Sequence, residues 1–128
     1  MDVALTPIRA SRRLLAVLAS RSISEFETVL RSDALLQICS EDRRQTFLSR
    51  RNICQALLVE AAAWPEPTIN VQGWDVDAET ATVAFQIWVK ENGLITQHDH
   101  SLIVTLRDDQ IEKITLYRKQ KSVCEPIA

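Results

Sequence analysis

Gly73 and Gly93 are the only glycines in this 128-residue chain. With so few, it has no loop that could cradle a phosphate, and no dinucleotide fingerprint is present. Cysteine is sparse too: Cys39, Cys54 and Cys124 are odd in number and show no C-x-x-C spacing. They make neither a disulfide framework nor a zinc knuckle, and they suit a reducing compartment. Cys39 and Cys54 sit in apolar runs, where a free thiol acts as a small hydrophobe. No apolar run approaches the ~18 residues of a membrane span, and the N-terminus lacks the plan of a signal peptide. A cytoplasmic protein is therefore expected. The net charge of -2 gives no general attraction to nucleic acid or an anionic membrane, so neither is expected as a partner. Internal repeats, low-complexity tracts and linkers are also missing, and no cofactor is expected.

What remains is an ordinary globular composition, 46% hydrophobic and 25% charged, in a chain long enough to bury one core without staples. Arginines occur in pairs at 12–13, 43–44 and 50–51, most simply as solvated helix faces and loops. The strongest pattern lies between Thr80 and Arg118. Val83, Phe85, Ile87 and Val89 alternate with Thr82, Ala84, Gln86 and Trp88, the period of a strand with two different faces. Asn92-Gly93 supplies the positive φ angles of a tight hairpin. Leu94 to Leu106 returns, Arg107-Asp108-Asp109 turns again, and Ile111 to Arg118 makes a last strand. Residues 119–128 are polar, and a flexible tail is expected there.

Upstream, Thr6-Pro7 opens a first helix with Ile8, Leu14, Leu15 and Leu18 near one face. Ser22-Ile23-Ser24-Glu25 has the spacing of a capping box and predicts a short second helix burying Phe26, Val29 and Leu30, broken at Ser32-Asp33. Leu35 to Cys39 and Gln45 to Leu48 predict two short strands. Ser49 caps a third helix, along which Ile53, Ala56, Leu57, Glu60 and Trp64 fall on one side. Pro65 and Pro67 end it. Thr68 to Asp77 predicts another strand, with a bulge at Gly73 where the apolar phase changes. Helices first and antiparallel strands after them predict one α+β domain spanning residues 1–128, its helices packed on one face of a sheet.

This order of elements resembles the nuclear transport factor 2-like superfamily, the cone fold of ketosteroid isomerases, polyketide cyclases and scytalone dehydratases. The resemblance spans about Ile8 to Tyr117. It rests on the Asn92-Gly93 hairpin, on Ser49-Arg50-Arg51-Asn52-Ile53 opening the third helix, and on Gln110-Ile111-Glu112-Lys113-Ile114-Thr115-Leu116-Tyr117 as the closing strand. It implies a strongly curved antiparallel sheet with the N-terminal helices packed in its concave face, an apolar pocket at the open end of the cone and, in many members, a dimer through the outer face of the sheet. The isomerase branch places a tyrosine, a carboxylate base and a protonated carboxylic acid at positions that correspond here to Leu14, Ile38 and Leu102. None of these can donate a hydrogen bond or move a proton, so isomerase chemistry of that type is not expected.

Gln97-His98-Asp99-His100-Ser101 is the most unusual phrase. His98 and His100 share a strand face with Leu102 and Val104, the inferred pocket side, where an imidazole could serve as a general base. As a metal site the pair would need a third ligand, such as Glu60 or a cysteine, and no metal is expected. Asp99 points the other way. Arg118, in phase with Ile114 and Leu116, would stand at the pocket rim, able to bind a ligand carboxylate or to reach solvent. Phe85, Ile87, His100, Leu102, Ile114, Leu116 and Arg118 are the expected ligand-binding residues. Trp88, with Gln86 and Asp99, would face a homodimer partner. The expectation is a non-enzymatic domain that binds a small apolar ligand, acts as a dimeric interaction module, or both. The alternative is a small cyclase- or dehydratase-like enzyme with His98 or His100 as base.

Overall fold

Helix α1 (Pro7–Ser20) starts where its cap predicts, with the Thr6 hydroxyl accepting from the Arg9 amide at 3.2 Å. It buries Ala10, Leu14, Leu15, Val17 and Leu18 along one stripe. Ser11 lies within that stripe and satisfies its hydroxyl by donating to the Pro7 carbonyl at 2.8 Å. The helix ends on Arg21 in the left-handed conformation, a place more often held by glycine. The computed structural model describes residues 5–23 and 25–123.

The short second helix is a single 3₁₀ turn, Phe26–Val29, and Leu30 already belongs to the next strand. Four residues are too few to repay helix nucleation, and no side chain caps the turn. Ser24, part of the expected capping box, lies outside the described residues. Strand β1 (Leu30–Cys39) runs straight through Ser32-Asp33. That pair does not break the chain; it marks an irregular stretch in which the pairing of β1 slips between Leu30 and Leu35. Strand β2 (Arg44–Leu48) folds back on β1.

Helix α2 (Arg50–Ala62) is capped by Ser49, whose hydroxyl accepts from the Asn52 amide at 3.3 Å. It buries Ile53, Cys54, Ala56, Leu57, Glu60 and Ala61. Trp64 therefore stands two residues beyond the helix, part-buried, with its carbonyl accepting from the Arg21 guanidinium at 2.9 Å. Strands β3 (Thr68–Val76), β4 (Thr80–Glu91), β5 (Leu94–Arg107) and β6 (Gln110–Val123) follow. The β3–β4 pairing slips by one residue between Val71 and Gly73, as the phase change implies. Asn92 (φ 51°) and Gly93 (φ 76°) turn β4 into β5, and Asp108 (φ 54°) and Asp109 (φ 61°) turn β5 into β6 without a glycine. Aspartate tolerates this conformation better than most residues.

The six strands form one sheet in the order β2-β1-β6-β5-β4-β3. It is antiparallel except that β1 lies parallel to β6. β6 continues past Arg118 to Val123 and pairs with the start of β5, so residues 119–123, expected to lie in a flexible tail, belong to the sheet. Backbone pairing does not require apolar side chains. Residues 124–128 lie outside the described part. The helices cover one face of the sheet, α1 against β3, β4 and β5, and α2 against β1 and β2. Between them Val83, Phe85, Ile87, Leu102, Val104, Ile114 and Leu116 are fully buried. None of the described helices is long and apolar enough to cross a membrane. Cys39 and Cys54 are both buried free thiols.

Candidate functional site

Strand register decides which side chains meet inside the sheet. Phe85, His100 and Arg118 are cross-strand neighbours on β4, β5 and β6, and Val83, Leu102 and Leu116 form the next row inward. Two of the first row's three side chains, His100 and Arg118, are polar, and the row stands on the side where the cone is expected to open. Phe85 stacks on the His100 imidazole, with centroids 5.3 Å apart and planes at 20°. Beyond the end of α2, the Trp64 indole covers both histidines. It lies 4.4 Å from His98 and, edge-on, 5.5 Å from His100.

Glu60, in the last turn of α2, is 5% exposed and takes both arms of the Arg118 guanidinium. Arg118 Nε donates to Oε2 at 2.7 Å and the second nitrogen donates to Oε1. A carboxylate on the buried stripe of a helix has to be neutralised by a partner of this kind. The two-pronged bond holds the Arg118 pKa above the usual arginine value, burial opposing it. The Arg118 fork, expected to be available for a ligand carboxylate, is thus engaged by Glu60.

His100 is 3% exposed. Its Nδ1 lies 3.0 Å from the His98 carbonyl oxygen. Burial lowers its pKa, and the charges of His98 and Arg118 act in the same direction. The bond to the His98 carbonyl and the charge of Glu60 oppose the shift. His98 Nε2 lies 3.3 Å from the Thr96 hydroxyl. His100 Nε2 and Trp64 Nε1 are both buried without a hydrogen-bond partner. A buried nitrogen left in that state costs about 1–3 kcal/mol.

The expected ligand-binding residues therefore divide. Phe85, His100 and Arg118 share one row, Leu102 and Leu116 lie in the next row inward and Ile114 one row further, while Ile87 lies on the other side, paired with His98. Ile87, Leu102, Ile114 and Leu116 are all fully buried. Leu14, Ile38 and Leu102, at the positions of the isomerase machinery, are core residues exposed by 0%, 3% and 0%. Trp64 was legible as a member of the α2 stripe but not as part of a site, and Glu60 was legible beside the histidines only as a possible metal ligand, not as the partner of Arg118. The signal for Glu60 was its charge: an acid in an apolar stripe requires a buried cation. Among the described residues, no three His, Cys, Asp or Glu side chains are grouped to hold a metal ion.

The opposite face of the sheet is organised differently. Trp88 Nε1 donates to Gln86 Oε1 at 2.9 Å, and Gln86 and Gln97 both donate to Asp99 Oδ1, at 3.1 and 3.3 Å. Tyr117 is 38% exposed nearby. A shallow groove of about 660 Å³ is lined by Cys39, Ser40, Glu41, Asp99, Ser101, Tyr117 and Arg118.

No protein-family model matches the chain, and no curated protein matches it. Solved structures do. A nuclear transport factor 2-like protein of unknown function from Mesorhizobium loti superposes with a TM-score of 0.71 at 14% identity, covering 92% of this chain and 100% of that one. An epoxide hydrolase/cyclase-like enzyme of pyran ring formation in the polyether salinomycin gives 0.71 at 11% identity, covering 92% and 95%. A protein of ketosteroid isomerase-like fold from Catenulispora acidiphila, solved in complex with trimethylamine, gives 0.67 at 12% identity, covering 88% and 85%. The chain has the nuclear transport factor 2-like cone fold.

Proposed function

We propose that this protein is a ligand-binding domain that takes a small, largely apolar molecule at the mouth of the cone. One observation carries the reading. In a cluster otherwise arranged so that polar groups are paired, Trp64 Nε1 and His100 Nε2 are buried and unpartnered. Native interiors rarely leave such groups unsatisfied, and a binding site is one setting that explains them. The surrounding rings of Phe85, His98 and Trp64 suit an apolar or aromatic body. A panel of small aromatics should raise the melting temperature through preferential binding to the native state. Trp64→Ala should abolish the rise; a panel without effect would refute the reading.

The enzymatic alternative also has an observation in its favour. His100 Nδ1 is fixed by a carbonyl, which is how a general base is held with its other nitrogen free. His98, with its Nε2 against Thr96, is less suited to that role. Turnover of an epoxy-alcohol or hydroxy-ketone probe, lost in His100→Gln, would establish it. A Δ5-ketosteroid should not turn over, because Leu14, Ile38 and Leu102 supply neither base nor oxyanion donor.

The outer face of the sheet, with Trp88 and Tyr117 uncovered by any helix, is the surface for a homodimer. Large aromatics on such a face are typical interface anchors.

A further inference from the structure

The two unpartnered nitrogens at the mouth differ in kind. An indole Nε1 always carries its hydrogen and only donates. The Nδ1 of His100 faces the His98 carbonyl, and a carbonyl only accepts, so a neutral imidazole keeps its hydrogen on Nδ1. His100 Nε2 is then a bare lone pair that only accepts. The burial that lowers the pKa of His100 keeps the ring neutral. One donor and one acceptor thus stand on rings 5.5 Å apart, and both are shut away from solvent.

Few chemical groups answer both from one atom. A carboxylate or an ether has no hydrogen to give, and an ammonium has no lone pair. A hydroxyl accepts through its oxygen and donates through its hydrogen. The neighbouring charges do not favour an ion, because Glu60 and Arg118 neutralise each other. The remaining walls are aromatic, with Phe85 against His100 and His98 against Trp64. Building on the mouth as the ligand site, we infer that the ligand is a neutral alcohol or phenol on an apolar body, its hydroxyl accepting from Trp64 Nε1–H and donating to His100 Nε2. The guest enters at the rim, where Trp64, His98 and Arg118 are each part-exposed.

Phenol, toluene and anisole test this, because they differ mainly in whether the ring carries a hydroxyl. Titrations of the full chain would be followed by NMR, reading the backbone amides of the mouth and the indole N–H of Trp64. Phenol should bind about tenfold more tightly than the other two, the worth of two modest hydrogen bonds. It should also move the Trp64 indole resonance. Trp64→Phe, with a dispersed amide spectrum as the check on folding, should narrow the preference for phenol over toluene by about threefold, the share of the one hydrogen bond it removes. Equal binding of all three in the unmodified protein, with the indole resonance unmoved, would overturn the inference while leaving the ligand site standing. The two nitrogens would then be satisfied by a resident water. If none of the three perturbs the amides of Glu60, Trp64, Phe85 and His100, the ligand-site reading itself falls, and the hydroxyl inference with it.

Discussion

Two adjacent rows of the same sheet behave very differently. Val83, Leu102 and Leu116 are cross-strand neighbours, all buried and all apolar. One row toward the mouth stand Phe85, His100 and Arg118, joined from α2 and the turn after it by Glu60 and Trp64. Burial changes only at Arg118, which is part-exposed, since Phe85 and His100 are as inaccessible as many core residues. What changes is the number of polar groups that folding must satisfy. The inner row is stabilised by area alone, about 25 cal/mol for each Å² of apolar surface. In the mouth row each polar atom has to find a partner, and two do not. The proposed ligand would answer those two nitrogens.

The largest effect should come from moving mouth chemistry into the inner row. Leu102→Asp places an unpaired carboxyl among fully buried apolar side chains, and a loss above about 4 kcal/mol is expected. Urea unfolding measures it. A loss below about 1 kcal/mol would mean that space or water already exists in that row, and that the two rows are less distinct than their burial implies.

Breaking the ion pair comes next. Arg118→Ala strands the buried Glu60 carboxylate and should cost about 2–3 kcal/mol, less than a fully buried pair because Arg118 is 39% exposed. Adding Glu60→Leu should restore most of it, since an apolar pair can replace a buried ionic one at little cost. If the double variant is worse than the single, Glu60 has a role beyond holding Arg118.

Trp64→Ala should cost about 2 kcal/mol, below the ~3–5 of a fully buried aromatic ring. The indole is only part-buried, and its removal also takes away one unpaired donor. A loss as large as that of a core phenylalanine would make Trp64 part of the inner row.

His100 links the mouth to pH. Its folded pKa lies below the ordinary imidazole value of about 6.5 that the unfolded chain keeps. Between those two values the unfolded state binds more protons. The stability held by the neutral ring is therefore complete above about pH 6.5 and declines as pH falls toward the folded pKa. Melting temperatures across that window should fall on acidification, and His100→Gln should flatten the slope. An unchanged slope in the variant would show that His100 is not the group responsible.

The smallest change in stability is expected on the outer face. Sedimentation at micromolar concentration should show a dimer, and Trp88→Ser with Tyr117→Ser should return it to a 14.5 kDa species with little change in folding. A 14.5 kDa species before any substitution would leave that face to the monomer.

Much of this protein could be read from local rules, because local rules act within a few residues. Thr6 and Ser49 cap helices wherever the chain goes next, Asn92-Gly93 turns back at once, and alternation along β4 assigns its two faces without knowledge of a partner. The places where reading failed were also local: a helix too short to nucleate after Glu25, and a strand that outlasted its apolar pattern beyond Arg118. The pairing across the fold was not legible. Nothing near Glu60 names Arg118, 58 positions away, and nothing near Trp64 names His98 or His100. The parallel seat of β1 beside β6 was likewise undetermined by the pattern of either strand. Those choices depend on which segments the curved sheet brings to its mouth once α2 ends at Ala62. Periodicity determined which side chains turn inward; the tertiary structure alone decided which of them meet, because partner choice is a property of packing rather than of neighbours in sequence.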